Sequence, residues 1–282
     1  MPQCAQCGYE LPAGGSCPQC QQASAPPGSS HSQAASFSRF PLTNLLLALN
    51  IGVFAAMVAT GVSPSEPTIA QLLRWGANWG PLTLGRQPWR LVSCAFVHVG
   101  IVHIAFNMWC FWNIGRMAEN IFGSARLLAI YLLTGISSSL LSLFVHPFEV
   151  SAGASGAIFG VAGALIPALY FGKLPVPRSA INATLRSLVL FAFYNLMIGA
   201  VVPHIDNAGH IGGFGFGLLI GLLLSPKLLA ASQERGEHAR RVFLLMAVLL
   251  LSAGWYVKRA RSVVAPIRHA EVRSVPSQFA NL

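Results

Sequence analysis

Residues 207–221 read NAGHIGGFGFGLLIG, an apolar stretch in which a single histidine, His210, follows a short glycine-containing start. Glycines recur at every fourth position of this stretch, at Gly209, Gly213, Gly217 and Gly221. Positions four apart lie on one face of a helix, and glycines on such a face let another helix backbone approach closely. The stretch therefore predicts a membrane helix that packs tightly on a neighbour and has a histidine near one end.

The composition of the whole chain agrees with a membrane location. Hydrophobic residues make up 54% of the chain and charged residues 9%, whereas a soluble domain has about 25% charged residues. The formal net charge of +10 could suggest nucleic acid, but the basic residues lie mostly between apolar runs and form no soluble patch. We expect the lipid bilayer as a partner and expect no nucleic acid.

Seven apolar segments have the length of about 17 to 22 residues that crosses a bilayer as a helix. They are 42–60, 98–118, 125–146, 153–172, 184–201, 207–225 and 241–257. The predicted fold is an all-α polytopic membrane protein with a six-helix core and a seventh transmembrane helix.

The distribution of basic residues predicts the orientation of the chain. The polar, cysteine-bearing opening does not resemble a secretion signal, so we expect a cytoplasmic amino terminus. The outer segments then contain only Arg74, Arg86 and Arg90. The inner segments contain Arg39, Arg116, Arg126, Lys173, Arg178, Arg186, Lys227, Arg235, Arg240 and Arg241. This positive-inside bias supports the orientation, and it places a long loop, 61–97, with Trp75, Trp79 and Trp89 at the outer surface.

The seventh segment does not follow the same rule. The basic residues Lys258, Arg259, Arg261, Arg268 and Arg273 come after it, and a full crossing would place them outside. Whether 241–257 fully spans, and which side holds the tail, therefore stays open.

The remaining organisation comprises a head at 1–20, a flexible linker at 21–40, the core at 41–225 and a carboxyl-terminal part at 226–282. Two Cys-x-x-Cys pairs in the head supply four thiolates for a tetrahedral, structural zinc. The predicted ligands are Cys4, Cys7, Cys17 and Cys20. The head contains no Lys or Arg, so we expect a protein partner for it. Cys94 and Cys110 are separate, and no disulfide framework is expected.

Polar residues near the outer ends of three spans converge at similar depth. The second span contains His98, His103 and Asn107, the fourth begins with Gly153-Ala154-Ser155-Gly156, and the sixth contains His210. Taken singly, a serine in a glycine-rich helix eases packing and a lone histidine bridges helices. Together, and with Gly156 and Gly160 as a matching face, they bring Ser155 beside His210, which would activate the serine as a nucleophile.

The other polar residues complete an acyl-transfer site. His103 and Asn107 are four residues apart and lie on one helical face, where both can stabilise an oxyanion. Ser155 begins a helix, whose unpaired N–H groups favour the same charge. Asp206 is expected at the membrane surface, so the predicted dyad has no carboxylate.

These motifs resemble those of the rhomboid intramembrane serine proteases over roughly residues 40–225. The marks are Trp89-Arg90, then His98, His103 and Asn107, then Gly153-Ala154-Ser155-Gly156, then Ala208-Gly209-His210-Ile211-Gly212-Gly213.

The resemblance implies roles for individual residues. It implies that Ser155 is the nucleophile, that His210 is the general base and then the acid, and that His103 and Asn107 stabilise the oxyanion. It also implies that Phe159 stacks beside His210, where family members often have tyrosine. His98 and Gly153 would support the site, Arg90 would anchor the outer loop, and Glu119 would bond polar groups near the inner face.

The resemblance further implies catalysis without a cofactor and cleavage of membrane proteins that have a transmembrane helix. We expect a bacterial plasma (inner) membrane location with the site opening toward the outer face. Single features of the sequence also fit two other functions. A non-catalytic rhomboid-like protein would bind and escort or retain membrane helices, and a transporter would relay protons through its histidines. The sequence lacks the matching pair of interrupted helices that inverted-repeat transporters have, which argues against a transporter.

Overall fold

The computed structural model describes residues 40–172, 174 and 176–224. This part of the chain contains six long helices, numbered in chain order. They are α1 (Pro41–Ala59), α2 (Ile101–Phe122), α3 (Ser124–Val145), α4 (Ser155–Phe171), α5 (Arg178–Val201) and α6 (Asn207–Leu224). The predicted zinc head, most of the linker and the segment 241–257 lie outside the described residues.

The second helix starts later than the sequence predicts. It begins at Ile101 and not at residue 98, because Gly100 has a φ of +89° and interrupts the helical path. The short helical run Arg90–Phe96 before it is bent by 94° relative to α2. His98 therefore lies in the connection before the helix, and the prediction that the second helix starts at residue 98 is wrong.

The helices differ in their ability to cross a bilayer. By length and apolar composition α1, α3, α5 and α6 qualify as membrane spans, and α2 together with its bent preceding run would be a fifth. At 1.5 Å per residue, the 17 residues of α4 extend about 25 Å, less than the roughly 30 Å of a hydrocarbon core. The chain is a multi-pass membrane protein with four to five such spans in its described part, where the sequence predicts six.

The short helix α4 occupies the centre of the bundle. It packs against α2, α3, α5 and α6, and most of its residues are buried. In contrast, α5 buries only Ile181, Leu188 and Ala192 within the described part. Its neighbours therefore enclose α4 along most of its length, whereas its first residue, Ser155, is half-buried.

Glycines determine how closely α4 and α6 approach. A Cβ atom added to Gly213 or Gly217 would meet the backbone carbonyl oxygen of Gly156 or Gly160, respectively. The same relation holds between Gly221 and Ala164. The predicted packing of two small-residue faces is confirmed for these positions.

Gly209 faces other groups. A Cβ atom there would lie 2.6 Å from Oδ2 of Asp206 and 2.9 Å from Oγ of Ser138. The first glycine of the repeat therefore makes room for side chains of α3 and of the preceding loop, whereas the next three make room for α4.

Hydrogen bonds between loops define one end of the bundle, here called the loop face, formed by residues 60–100, 146–154 and 202–206. The backbones of Asn78 and Ser151 exchange hydrogen bonds of 2.8 and 2.9 Å, and Ser151 Oγ donates to Asp206 Oδ2 at 2.6 Å. The helices α2, α4 and α6 all begin at this face, as the predicted convergence of the second, fourth and sixth spans requires.

Glu119 joins three helices at the opposite end. Its carboxylate accepts hydrogen bonds from the backbone N–H groups of Leu42 and Thr43, both at 2.9 Å. It also accepts from the hydroxyls of Thr43 at 2.6 Å and of Ser124 at 2.7 Å. These bonds tie the start of α1 to the end of α2 and the start of α3, so Glu119 has a structural setting far from the loop face.

Arg90 holds the long loop 60–100 in shape. Its side chain is 2% exposed and donates to the carbonyl oxygens of Leu73 at 2.7 Å and Ala77 at 2.8 Å. Its Nε donates to Gln87 Oε1 at 2.6 Å. The guanidinium fork thus replaces backbone partners that an irregular loop cannot provide for itself.

Candidate active site

Ser155 and His210 meet at the loop face. Ser155 is the first residue of α4 and His210 the fourth of α6, and Ser155 Oγ lies 2.9 Å from His210 Nε2. The hydroxyl donates to Nε2 when the neutral imidazole carries its proton on Nδ1. Ser155 is partly exposed and His210 is buried.

The other nitrogen of His210 has no carboxylate partner. Nδ1 is buried and makes no hydrogen bond within residues 40–172, 174 and 176–224. The carboxylate nearest in sequence, Asp206, is used elsewhere: its Oδ1 accepts from the Gly209 backbone at 2.7 Å and its Oδ2 from Ser151. The geometry corresponds to a serine and histidine pair without a third, acidic member.

Aromatic packing, and not an acidic side chain, restrains the imidazole of His210. Phe159, one helical turn after Ser155, lies parallel to the imidazole, with ring centroids 4.3 Å apart and an interplanar angle of 5°. Phe159 is itself 2% exposed and contacts Phe191 of α5 at a centroid distance of 5.2 Å. The stacked face limits rotation of the imidazole through dispersion and shape, without a hydrogen bond.

His103 lies against the segment that leads to Ser155. The backbone N–H of Val99 donates to its Nδ1 at 3.3 Å, so the ring proton of the neutral form resides on Nε2. A Cβ atom added to Gly153 would lie 2.6 Å from Cε1 and 2.9 Å from Nε2 of His103. The Cε1–Nε2 edge of the imidazole therefore lies beside the backbone two residues before Ser155.

Asn107 and His98 flank His103. Asn107 is 3% exposed and donates through Nδ2 to the carbonyl oxygen of His103 at 2.9 Å. His98 is fully buried, and its ring centroid is 5.3 Å from that of His103. Its Nδ1 lies 3.3 Å from the Phe96 carbonyl oxygen. His98 thus packs against His103, and within the described residues it makes no hydrogen bond to Ser155 or His210.

Several polar residues near the pair are missing from the sequence-based prediction. On α3, Ser137 Oγ donates to the Gly212 carbonyl oxygen at 3.1 Å, Ser138 lies where Gly156 and Gly209 meet, and Thr134 lies against Gly160. A signal for them was present in the three consecutive serines 137–139 inside an apolar span. Ser151 and Asn78 had no comparable signal, because polar residues in loops are common.

The predicted zinc ligands cannot be placed in this site. Cys4, Cys7, Cys17 and Cys20 lie outside the described residues. Among the residues that the structure does describe, no group of three or more His, Cys, Asp or Glu side chains is arranged to hold a metal ion.

Comparison with known proteins identifies the family of this chain. Residues 85–227 match the Rhomboid domain, and the chain belongs to the rhomboid family. It is similar to Rhomboid protease GluP of Bacillus subtilis (strain 168), with 36% identity over 210 residues. It is also similar to RHOMBOID-like protein 4 of Arabidopsis thaliana, with 34% identity over 206 residues, and to Rhomboid protease AarA of Providencia stuartii, with 31% over 209.

The aligned regions cover different shares of these proteins. The match includes 74% of this chain and 38% of the Bacillus protein, and 70% of this chain and 51% of the Arabidopsis protein. For the Providencia protein the shares are 66% and 73%. The chain thus spans about half or less of the Bacillus and Arabidopsis relatives, and most of the Providencia one.

Proposed function

We propose that this protein is an intramembrane serine endopeptidase that cleaves transmembrane or membrane-proximal segments of membrane-anchored proteins. The observation that carries the proposal is the contact of 2.9 Å between Ser155 Oγ and His210 Nε2 inside a helical membrane protein. Two relatives named rhomboid proteases support the same activity.

In the proposed acylation step, Ser155 Oγ attacks the carbonyl carbon of the scissile peptide bond. Its proton moves to His210 Nε2, which then delivers it to the nitrogen of the departing amine as the C–N bond breaks. The products of this step are a new amino terminus and an acyl-enzyme ester on Ser155.

The negative oxygen of the tetrahedral intermediate needs donors close to Ser155. The proposed donors are the Nε2–H of His103, the side-chain amide of Asn107 and the backbone N–H groups at the start of α4. Gly153 allows His103 to approach this position. Removing one donor of this kind typically costs about 10² to 10³ in kcat.

Deacylation requires water. Water attacks the ester carbon, gives a proton to His210, and releases the carboxylic acid as the proton returns to Ser155. The partial exposure of Ser155 at the loop face supplies a route for this water. A substrate helix must unwind locally, because its carbonyl groups are otherwise held in its own hydrogen bonds, so small or helix-breaking residues near the cut are expected.

The test uses the full chain in detergent with a single-pass model substrate. Ser155→Ala and His210→Ala should abolish cleavage, because both changes remove reacting atoms. Ser155→Ala should also preserve the thermal unfolding temperature, because it removes one half-buried hydroxyl from a site held by backbone packing. Ser187→Ala is the matched control, since that exposed hydroxyl bonds only to its own helix at Ala183.

A fluorophosphonate probe separates the proposal from the non-catalytic alternative. The wild-type chain should be labelled at Ser155, and the Ser155→Ala variant should not. Binding of a substrate helix without cleavage and without labelling would favour a rhomboid-like protein that escorts or retains membrane helices.

We also propose the domain organisation of the sequence, with a zinc-binding head at 1–20, a linker at 21–40, the protease core at 41–225 and an additional helix at 241–257 in the part 226–282. The support for the head is its pair of Cys-x-x-Cys motifs. Metal analysis of the purified chain should give one zinc per molecule, and Cys4→Ser with Cys7→Ser should lose it. A protein partner of the head is expected to depend on the same cysteines.

A further inference from the structure

A chain of hydrogen bonds at the loop face joins the two segments that contain Ser155 and His210. Asp206 Oδ1 accepts from the Gly209 backbone N–H at 2.7 Å, and its Oδ2 accepts from Ser151 Oγ at 2.6 Å. Gly209 immediately precedes His210, and Ser151 lies four residues before Ser155. One carboxylate therefore contacts both sides of the proposed catalytic pair without touching either member.

The first contact fixes the start of α6. Asp206 directly precedes the helix, and its side chain satisfies an N–H group of the first turn that has no partner within the helix. The Asp206 carbonyl oxygen also accepts from the His210 backbone N–H at 3.0 Å. Glycine at 209 permits this arrangement, because an added Cβ would lie 2.6 Å from Oδ2.

The second contact, between Asp206 and Ser151, involves a segment that is also hydrogen-bonded to the long loop. The backbone of Ser151 exchanges two hydrogen bonds with Asn78, and Asn78 Nδ2 donates to the Ser139 carbonyl oxygen of α3 at 3.1 Å. The Ser151 position is therefore fixed relative to α3 and the long loop. The hydrogen bond from Ser151 Oγ to Asp206 therefore also fixes the start of α6 relative to α3 and the long loop.

The orientation of the His210 imidazole depends on the position of the start of α6. Its Nδ1 has no hydrogen-bond partner in the part of the chain described, so no side chain pulls the ring into line with Ser155. Phe159 restrains the face of the ring. The distance from the ring to Ser155 therefore depends on the position of the His210 backbone.

Resting on the proposed protease function, we propose that Asp206 is a positioning residue. Its carboxylate, bound to Gly209 N–H and Ser151 Oγ, holds α6 and the segment before α4 at the separation at which Ser155 Oγ and His210 Nε2 are in hydrogen-bond contact. It works through geometry, in contrast to an acid that pairs with the imidazole.

The experiment compares Ser151→Ala, Asp206→Ala, the double variant and Asp206→Asn in the full chain. Ser151→Ala removes the link and keeps the helix cap, so kcat and the rate of fluorophosphonate labelling should fall about tenfold, since misplacing a catalytic group by about 1 Å can cost up to 10²-fold. KM and the unfolding temperature should change little. Asp206→Ala should lower the labelling rate at least as much, and the double variant should be no slower than Asp206→Ala.

Asp206→Asn is the test of geometry against charge. Its side-chain oxygen can still accept from Gly209 N–H, and its amide can donate to Ser151 Oγ, so this variant should recover most of the activity. Ser187→Ala is again the matched control and should label at the wild-type rate.

Three results would overturn the proposal. The first is a labelling rate for Ser151→Ala equal to that of the wild type. The second is multiplication of the two single effects in the double variant, since residues acting through one bond are not additive. The third is an Asp206→Asn variant as slow as Asp206→Ala. A wild-type chain that neither cleaves nor labels would instead refute the protease function itself.

Discussion

At the scale of single residues, Gly153 shows how backbone conformation and side-chain packing restrict one position together. Its φ is +126°, a conformation that residues with a Cβ rarely adopt. Its backbone N–H donates to the Cys94 carbonyl oxygen at 2.9 Å, and its missing side chain leaves room for His103. The glycine thus connects the loop before α4 to the proposed oxyanion donor.

Gly153→Ala should reduce cleavage by about tenfold or more, because the new Cβ would displace His103 from the side of Ser155. The strained conformation adds a cost of about 1–2 kcal/mol in stability. Initial rates of substrate cleavage and thermal unfolding measure the two effects. Gly52→Ala is the control, since a Cβ there meets nothing within 4 Å. Equal turnover of Gly153→Ala and the wild type would refute the role given to this glycine.

Arg90 permits a second prediction at this scale. Arg90→Ala removes the donor of the buried Ala77 carbonyl group and leaves that of Leu73 with the Gly76 N–H alone, which should destabilise the chain by about 2 kcal/mol. Arg90→Lys should be intermediate, because an ammonium group can replace Nη1, which donates to both oxygens, but not Nε, which donates to Gln87. Unfolding in detergent is the measurement, with exposed Arg86→Ala as control. Similar losses for Arg86→Ala and Arg90→Ala would contradict the anchoring role.

At the scale of helices, the contact between α4 and α6 decides where Ser155 and His210 sit. Backbone carbonyl groups of α4 face the glycines of α6, so the helix axes come closer than side chains would permit. A substitution that moves α4 and α6 apart also moves Ser155 away from His210. Stability and activity therefore depend on the same glycine face of α6.

Two glycines of α6 provide a matched comparison of this effect. Gly217→Ala puts a Cβ against the Gly160 carbonyl oxygen, whereas the same change at Gly215 meets nothing within 4 Å. Gly217→Ala should lower both the unfolding temperature and the cleavage rate. Gly215→Ala should keep the activity and gain up to about 1 kcal/mol from helix propensity. Indistinguishable unfolding temperatures for the two variants would show that close packing is not required.

At the scale of the whole molecule, hydrogen bonds at the two ends of the bundle confirm that successive long helices alternate in direction. Asn78, Ser151 and Asp206 join the loops at one end, and Glu119 joins α1, α2 and α3 at the other. The positive-inside rule assigns the Glu119 end to the cytoplasm. We accordingly propose that the active site opens toward the outer face of a bacterial plasma membrane.

Cysteine labelling of intact cells tests this orientation. A membrane-impermeant maleimide should label Glu66→Cys, which is exposed at the loop face, and should not label Ser179→Cys, which is exposed near the start of α5. The parent chain gives the baseline, and permeabilised cells should label both variants. Labelling of Ser179→Cys alone in intact cells would reverse the assigned orientation.

The sequence by itself determined the class of fold, the helix faces and the polar residues that converge. These features follow from local properties: apolar length, spacing of glycines at every fourth residue, and the rarity of polar groups in membrane spans. The start of α2 was misplaced because Gly100 and its contact with Ser65 depend on the folded loop. Four to five helices of the described part meet the length and composition of a span where the sequence predicts six, because α4 has only 17 residues.

Only the tertiary structure decided how the pair is held. It placed Ser155 Oγ 2.9 Å from His210 Nε2, stacked Phe159 on the imidazole, and showed that Asp206 binds Ser151 and Gly209. Hydrogen bonds between residues 55 positions apart in sequence leave no periodic pattern. They require atoms placed to within a few tenths of an ångström, and that placement arises when the backbones of α4 and α6 meet.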